Sequence, residues 1–465
     1  VTGVQTCALP IYLDPTQNVL NIPDGSTEIG ANSYQESNLT EVIMPDSIIC
    51  VKNEAFRASQ SLKKIKLSAN IKTICNAAFS HCVKLENFVF PNSLKSIQDN
   101  AFRDCYSITE ITIPNSVDEL GSSVFLNCTS LKSVSIPNSI KIIQQSTFMG
   151  CKSLINVTIS GGITMIGDDA FSGCEMLKTF IIPNSVKVIG KNAFLGCSSL
   201  ENIKIPDSVT EIMNGAFEQC SSLTNITISS NVKKICNNTF SGCSSIKNIT
   251  IPDSIEEIQQ LGFNECLSIE YITIPKNVKI IGAGAFKDCS SLREITFLNC
   301  KIKIDKNAFP ENLHKINDSN DKLIYKIKND GDFYYHGKKK IEEFNIMEGF
   351  KKIGEGAFVN CNKLTKISFP NSVTEIGEQA FLGCSSLKNV EIPNSVTRIC
   401  DYAFQNCSSL TNITIPNSVI EIGDYAFDGC SSLKNVEIPN NNIKIGKDAF
   451  PNDCNYCYNN HDNSI

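Results

Sequence analysis

The chain has 465 residues, with 42 Lys and Arg against 48 Asp and Glu, and a formal net charge of −6. Such mild acidity attracts neither nucleic acid nor an anionic membrane surface, so we expect neither as a partner. The sequence contains no run of about 18 apolar residues, and we therefore expect no membrane span within it.

The first eleven residues, VTGVQTCALPI, are unlike everything that follows. We interpret residues 1–11 as the translation of a sequencing-adapter oligonucleotide read into the gene, and we leave them out of the fold reasoning. On this interpretation, we expect the natural start of the protein, with any signal peptide, to lie upstream of the sequence.

From residue 12 onward the sequence repeats itself every 23 residues. The consensus unit is C-x-x-L-x-x-I-x-I-P-x-S-V-x-x-I-G-x-x-A-F-x-x. A fixed period of this length is the signature of a solenoid, and it predicts one array over residues 12–309 and a second over residues 351–450. The eighteen units are anchored by Tyr34, Phe56, Phe79, Phe102, Phe125, Phe148, Phe171, Phe194, Phe217, Phe240, Phe263, Phe286, Phe309, Phe358, Phe381, Phe404, Phe427 and Phe450.

Each part of the unit has a physical interpretation. In L-x-x-I-x-I the last two apolar positions, such as Val390 and Ile392, alternate with polar ones, which predicts a short strand with one buried face. Pro393 removes a backbone donor and ends that strand. The V-x-x-I segment returns Val396 and Ile399 to the core, and the Gly that usually follows suits a tight or positive-φ backbone. Because each coil buries its apolar edge only against its neighbours, we predict stacked parallel β-sheets joined by short turns.

The cysteines follow the same period. They are Cys82, Cys105, Cys128, Cys151, Cys174, Cys197, Cys220, Cys243, Cys266 and Cys289, and then Cys361, Cys384, Cys407 and Cys430. A strict period implies one repeated role, which we interpret as a column of buried thiols about 4.8 Å apart that act as small hydrophobic groups and weak S–H donors. Disulfides between some neighbours are the alternative, and they require local rotation.

The run CSSLKNVEIPNSVTRICDYAF resembles the leucine-rich repeat of the BspA-like, or Treponema pallidum, type, and the resemblance covers about residues 18–309 and 351–450. Proteins with this repeat are mostly surface or secreted proteins of host-associated bacteria and of protists such as Trichomonas. The resemblance implies a leucine-rich repeat solenoid that adheres to host matrix proteins or cells, or to other microbes. It implies no active site.

One exposed position of the predicted strand repeats as a hydroxyl group, and we name this set the hydroxyl stripe. Its members are Thr112, Ser135, Thr158, Thr227, Thr250, Thr273, Thr296, Ser368 and Thr414, and a row of asparagines beside it includes Asn225 and Asn248. Many weak hydrogen bonds along such a ladder favour binding of extended polypeptide or glycan, with avidity for a multivalent partner. The alternative is that Thr suits strands and pairs with itself across a ladder.

Residues 310–350 interrupt the repeat. The stretch LIYKIKNDGDFYYHGKK predicts a β-hairpin around Asp330-Gly331. Aromatic residues next to lysines are typical of binding hot spots, and the candidates here are Tyr325, Phe333, Tyr334 and Tyr335. The alternative is a divergent pair of coils whose aromatic side chains fill the gap between the two arrays.

Residues 451–465 are predicted to be a disordered tail. Cys454, Cys457 and His461 provide three zinc ligands where a structural site requires four, so we predict no metal site there. No nucleophile with a base, paired-carboxylate site or phosphate-binding glycine loop occurs elsewhere, and we predict neither an enzyme nor a cofactor.

Two functions remain. The first is a non-enzymatic cell-surface or secreted adhesion protein, whose partner is a host matrix protein, a cell-surface protein or a glycan. The second is an intracellular scaffold that binds a protein of its own cell. A long column of free thiols favours this second function, because the cytosol is reducing.

Overall fold

The structure is a computed structural model that describes residues 18–298, 302–305, 307–310, 315–318, 323–327, 333–334, 342–346, 350–439 and 442–458. These residues form a parallel-strand solenoid of about 17 coils with the 23-residue period, and no α-helix occurs among them. The predicted leucine-rich repeat solenoid is therefore confirmed. The chain divides into two compact units, one of residues 1–254 and 261–268 and the other of residues 255–260 and 269–465.

The L-x-x-I-x-I part of a coil forms what we call the A strand. Where the structure describes the side chains, the apolar ones face the core and the intervening ones face solvent. In the first unit the A strands are Val19–Asn21, Glu41–Ile43, Lys64–Lys66, Glu110–Thr112, Ser133–Ile136, Asn156–Ile159, Asn202–Lys204 and Asn225–Thr227. In the second unit they are Tyr271–Ile274, Glu294–Phe297, Lys315–Asp318, Glu343–Asn345, Lys366–Ser368, Asn389–Glu391, Asn412–Thr414, Asn435–Ile438 and Asn455–Tyr458.

The V-x-x-I part forms a two-residue B strand on the opposite side of the coil. The B strands of the first unit are Glu28–Ile29, Cys50–Val51, Thr73–Ile74, Ser96–Ile97, Glu119–Leu120, Ile142–Ile143, Met165–Ile166, Val188–Ile189, Glu211–Ile212 and Lys234–Ile235. Those of the second are Glu257–Ile258, Ile280–Ile281, Lys303–Ile304, Lys352–Ile353, Glu375–Ile376, Arg398–Ile399, Glu421–Ile422 and Lys444–Ile445.

The anchor aromatic residues form a stacked column in the core of each unit. From Tyr34 to Phe263, successive ring centroids lie 5.2 to 5.8 Å apart with nearly parallel planes. The rings from Phe358 to Phe450 in the second unit are 4.9 to 5.3 Å apart. Because the strands pair one full period apart, as Val134 does with Val157, each ring meets its equivalent in the next coil.

The periodic cysteines are buried free thiols wherever the structure describes them. In both units, thiols of this column donate their S–H to the backbone carbonyl of an anchor Phe 26 residues earlier, as Cys197 does to Phe171 at 3.2 Å and Cys430 does to Phe404 at 3.2 Å. Burial raises the pKa of Cys197 to about 12. The column therefore contributes packing and hydrogen bonds, as its period indicates.

Left-handed backbone occurs at the corner between coils, where positive φ angles come in pairs four residues apart. The Gly that follows the B strand has another role: at Gly377 an added Cβ would lie 2.3 Å from the carbonyl oxygen of Ile353. Close approach of consecutive coils therefore explains this Gly, whereas positive φ belongs to corner residues such as Asn100 and Asp104.

One corner carries a buried carboxylate. Asp104 is 4% exposed, with φ of +58°, and accepts hydrogen bonds from Asn127 Nδ2 at 2.9 Å and from Arg103 Nε at 3.1 Å. The Nδ1 atom of His81 lies 3.2 Å from the same carboxylate. This side-chain cluster joins three consecutive coils at their corners.

Strand pairing continues through the predicted interruption. Leu323–Ile327 pairs antiparallel with Lys315–Asp318 on one side and with Phe333–Tyr334 on the other, where Lys326 is opposite Tyr334. Phe333 then pairs in parallel with Ile353, in the B strand of the following coil. The turn at Asp330-Gly331 lies outside the described residues.

The beginning of the tail departs from the prediction of disorder. Asn455–Tyr458 forms a strand that pairs in parallel with Asn435–Ile438, in register Val436 with Tyr456. The sequence Asn-Tyr-Cys-Tyr continues the alternation of an A strand, and the open edge of the last coil offers it unpaired backbone groups. Residues 459–465 lie outside the described part of the chain.

Charges alternate along the B strands of the second unit. At the exposed position of successive strands, Lys352 lies 3.1 Å from Glu375, and Glu421 lies 2.9 Å from both Arg398 and Lys444. We name these five residues the charge ladder. Its members recur at the 23-residue period, so the sequence places them in one column, but the alternation of sign hides them from a search for one repeated residue type.

We expect Glu421→Gln to destabilise the second unit at neutral pH. The hydrogen bond from Lys444, with Arg398 nearby, lowers the pKa of Glu421. Because the pKa of Glu421 is lower in the folded protein than the value of about 4.3 in the unfolded chain, the ionised carboxylate stabilises the fold at pH values above about 4.3. This stabilisation is lost as the pH falls through the folded-state pKa. In urea denaturation, the midpoint difference between wild type and variant should therefore be present at pH 7 and shrink on acidification and in high salt.

Glu437→Gln is the control, because Glu437 is an exposed carboxylate outside the ladder. A midpoint difference for Glu421→Gln that is unaffected by pH or salt would contradict this account.

Candidate surface for ligand binding

The hydroxyl stripe lies on the exposed side of the A strands, which we call the A face. Thr227 is exposed between the buried side chains of Ile226 and Ile228, and it forms a parallel β-bridge with Thr250, also exposed. In the second unit, Thr273 is exposed and pairs in register with Thr296. The fold thus presents these hydroxyl groups to solvent at regular intervals.

The asparagine row bonds partly to itself. Asn225 Nδ2 donates to Asn202 Oδ1 at 2.9 Å, and Asn412 Nδ2 donates to Asn389 Oδ1 at 3.3 Å. The amide group also contacts Thr224 Oγ1, 3.2 Å from Asn225 Nδ2. Asn248 is exposed in the next coil. Such ladders stabilise the stack and leave part of each amide available to a ligand.

Three coils of the first unit lack a regular A strand, and two of them have Phe at the first apolar position of the strand. The third, at Ile249, keeps the single bridge between Thr227 and Thr250. Phe180 packs edge-on between Phe171 and Phe194, with both centroid distances 4.9 Å. Phe88 stacks against Phe102 at 5.1 Å. The ring alone does not prevent strand pairing, since Phe344 has the same position in the paired strand Glu343–Asn345 of the second unit.

Each of the two coils with Phe exposes an apolar side chain on the A face. Val89 and Ile181 occupy the position that is Thr or Ser in the hydroxyl stripe, and both are 85% exposed. They are four periods apart, about 19 Å along the stack at the spacing of parallel strands. Sequence reasoning missed them because each resembles one more core residue in an apolar run, such as Phe-Ile-Ile.

Both residues line clefts in the A face. The cleft at Val89 has a volume of about 710 Å³, and Glu110 and Thr112 also line it. The cleft at Ile181 has a volume of about 520 Å³ and is lined in addition by Lys204, Asn225 and Thr227. The structure therefore brings two of the predicted candidates, Asn225 and Thr227, together around an exposed apolar side chain. Thr250, Thr273 and Asn248 are outside this cleft.

The aromatic candidates of the interruption are only partly described. Tyr325 lies in the strand Leu323–Ile327, and Phe333 and Tyr334 form the strand that pairs with it. Tyr335 lies outside the described residues. Backbone pairing places Tyr334 opposite Lys326, which puts the aromatic candidates on neighbouring strands.

Two absences hold for the described residues. No group of three or more His, Cys, Asp and Glu side chains in them has an arrangement suited to a metal ion. Nor do they include a helix with the length and apolarity needed to cross a bilayer.

The family model for the BspA type leucine rich repeat region matches residues 16–132, 119–245, 210–330 and 326–457. This chain belongs to the BspA-type leucine-rich repeat family. The matches overlap and together cover the A face, both clefts and the charge ladder of this BspA-type protein.

The chain is similar to three solved structures of leucine-rich proteins. A leucine-rich repeat protein from Bacteroides ovatus is 25% identical over 97% of this chain and 94% of its own, with a TM-score of 0.37. The leucine-rich repeat protein of T. pallidum is 30% identical over 34% of this chain and 78% of its own, with a TM-score of 0.33. A leucine-rich cell surface protein from Faecalibacterium prausnitzii is 24% identical over 90% of this chain and 87% of its own, with a TM-score of 0.30. Comparison with curated proteins gives no match.

Proposed function

We propose that this BspA-type protein is a non-enzymatic adhesion protein at the cell surface or in the secreted fraction, which binds a protein of the host matrix or of a cell surface through its A face. The observation that supports this most is the pair of clefts around Val89 and Ile181. Exposed apolar side chains ringed by hydroxyl, amide and charged groups combine an anchor with hydrogen-bonding partners, as protein-binding surfaces do.

The arrangement suits an extended polypeptide. A β-conformation segment advances about 3.3 Å per residue, so about six residues span the roughly 19 Å between the two anchors. Glu110 at one cleft and Lys204 at the other offer opposite charges to such a segment. Repetition of weak contacts along the A face then adds avidity when the partner is itself a repetitive fibre or surface.

The binding test uses the whole chain with surfaces coated with fibronectin, laminin or collagen. We expect wild type to bind at least one of them and Ile181→Asp to bind it at least about tenfold more weakly, because a charge on the anchor must be desolvated. Ile420→Asp is the matched control, since Ile420 is a 61% exposed isoleucine beside a B strand. Absence of wild-type binding to all three surfaces would contradict matrix adhesion. If both substitutions weakened binding equally, the A face would not be the binding site.

The interruption is the second candidate contact surface for the same function. We expect Tyr334→Ser with Tyr335→Ser to weaken binding if the aromatic residues contact the partner. Unchanged affinity would assign those residues to packing between the arrays.

An intracellular scaffold is the alternative function, and the free thiols of the described cysteines favour it. Protease treatment of intact cells that carry the gene separates the two. Loss of the protein supports surface exposure, and complete protection supports the scaffold.

A further inference from the structure

Two cysteines of the first unit differ from the buried column. Cys50 begins the B strand Cys50–Val51, and Cys75 directly follows the next B strand, Thr73–Ile74. Cys50 is opposite Thr73, so Cys75 is its diagonal neighbour on the same, outer side of the sheet. Their Sγ atoms lie 3.6 Å apart, within the distance of a thiol hydrogen bond. Cys50 is half-buried and Cys75 is 8% exposed.

The surroundings favour a single negative charge on this pair. The hydrogen bond from Cys50, supported by the nearby ammonium group of Lys52, lowers the pKa of Cys75 to about 7. The same hydrogen bond raises the pKa of Cys50. Lys52 is itself held in place by an ion pair with Glu28 at 3.2 Å. Near neutral pH a substantial fraction of the molecules therefore carries one thiolate on this pair, and the thiolate is the nucleophilic form of cysteine.

An equivalent position in the second unit provides a contrast. Cys400 follows its B strand as Cys75 does, but its partner 25 residues earlier is Glu375, whose Oε1 lies 3.1 Å from Cys400 Sγ. Burial and this carboxylate raise the pKa of Cys400 to about 12. The neighbour on the preceding coil thus decides whether a cysteine at this position is reactive.

We propose that Cys50 and Cys75 form a redox-active dithiol that a low-molecular-weight disulfide, such as glutathione disulfide, oxidises to an intramolecular disulfide. The shared thiolate attacks one sulfur atom of the small disulfide, which forms a mixed disulfide and releases one small thiolate. The second cysteine loses its proton to solvent and attacks the protein sulfur, releasing the second small thiolate. In sum, two protein thiols are oxidised and one small disulfide is reduced to two thiols.

Closure links two successive coils on the outer side of the B sheet. The Sγ atoms must approach from 3.6 Å to about 2.0 Å, and diagonal neighbours require some movement of the two short strands for this. A bridge under such strain is readily reduced again, which is the behaviour of a reversible modification. The site is independent of the A face, since the B strands lie on the opposite side of each coil.

In the experiment, the reduced whole chain is first treated with glutathione disulfide, and the thiols that remain accessible are then blocked with N-ethylmaleimide. The chain is unfolded, and the thiols that were buried are labelled with iodoacetamide. Peptide mapping must separate Cys50 from Cys7 and Cys75 from Cys82; cleavage by Glu-C at Glu28 and by chymotrypsin at Phe79 does so. We expect a peptide pair linked through Cys50 and Cys75, while Cys400 and the column carry iodoacetamide. In a separate alkylation of the folded chain at pH 7, Cys75 should react at least about 100-fold faster than Cys400, since only its thiol is substantially ionised.

The Cys50→Ser variant tests the order of steps. It should lose the linked peptide pair and accumulate a mixed disulfide of Cys75 with glutathione, with an unchanged circular dichroism spectrum. Reaction of Cys75 no faster than Cys400 in wild type, or a mixed disulfide in wild type that never closes, would overturn the proposal. If the variant fails to fold, the contrast between Cys75 and Cys400 in wild type still decides the matter.

Discussion

Phe194→Ala should cost about 3 to 5 kcal/mol of local unfolding free energy, the range for truncation of a fully buried aromatic side chain. Phe194 has no exposed surface and is stacked between Phe171 at 5.5 Å and Phe217 at 5.3 Å. Phe180 meets its edge at 4.9 Å. Removal of the ring leaves a cavity that the flanking coils cannot close without losing their own pairing, because the strands on either side are fixed by register.

The damage should remain local, since a coil in a solenoid contacts only its neighbours. Hydrogen exchange measured by mass spectrometry should show lost protection in the coils around residues 171–217 and normal protection in residues 351–450. Ile181→Ala is the control, because a side chain that is 85% exposed should change stability by less than about 0.5 kcal/mol. Uniform loss of protection along the whole chain would contradict nearest-neighbour stability.

Asp104→Ala should also destabilise the first unit, by about 2 to 5 kcal/mol, which is the sum of two parts. One part of this cost is the left-handed backbone, which disfavours Ala by about 1 to 2 kcal/mol. The other part is the loss of the bonds to Asn127, Arg103 and His81, worth about 1 to 3 kcal/mol because Arg103 and His81 are partly solvated.

A matched substitution separates the two parts. Asp288 occupies the equivalent corner with φ of +58°, but it is exposed. Asp288 forms an ion pair with Lys287 at 3.7 Å, but both side chains are exposed, so this pair contributes little. Asp288→Ala should therefore incur mainly the backbone cost, and urea denaturation of the two variants should give a larger loss for Asp104→Ala. Equal losses would show that the buried hydrogen bonds contribute nothing to stability.

Much of the fold follows from spacing, and the cysteine column shows why. A residue type that recurs every 23 positions must occupy the same place in every coil, so Cys197 and its equivalents were identifiable as one buried set before any coordinate was known. The carbonyl acceptor of each thiol, 26 residues earlier, depends on backbone geometry that spacing does not specify.

The candidate surface was only half predictable. Thr227 and Asn225 were found because they repeat, and the structure places them on the A face. Ile181 was missed because it lies in the apolar run Phe-Ile-Ile, which resembles a core segment, whereas the structure leaves it 85% exposed. A pattern of apolar residues alone does not show which member of such a run faces solvent.

The sequence by itself determined the solenoid, its period, its aromatic and thiol columns and the exposure of the hydroxyl stripe, because each coil repeats the same local chemistry and can bury it only by stacking. Tertiary structure alone decided the two clefts and the Cys50–Cys75 pair. Each of these depends on which side chains of different coils become neighbours, and the Cys50 and Cys75 thiols meet at a separation of 25 residues, off the 23-residue period. Such contacts depend on the strand register and on how side chains pack between coils, and the sequence of a single repeat specifies neither.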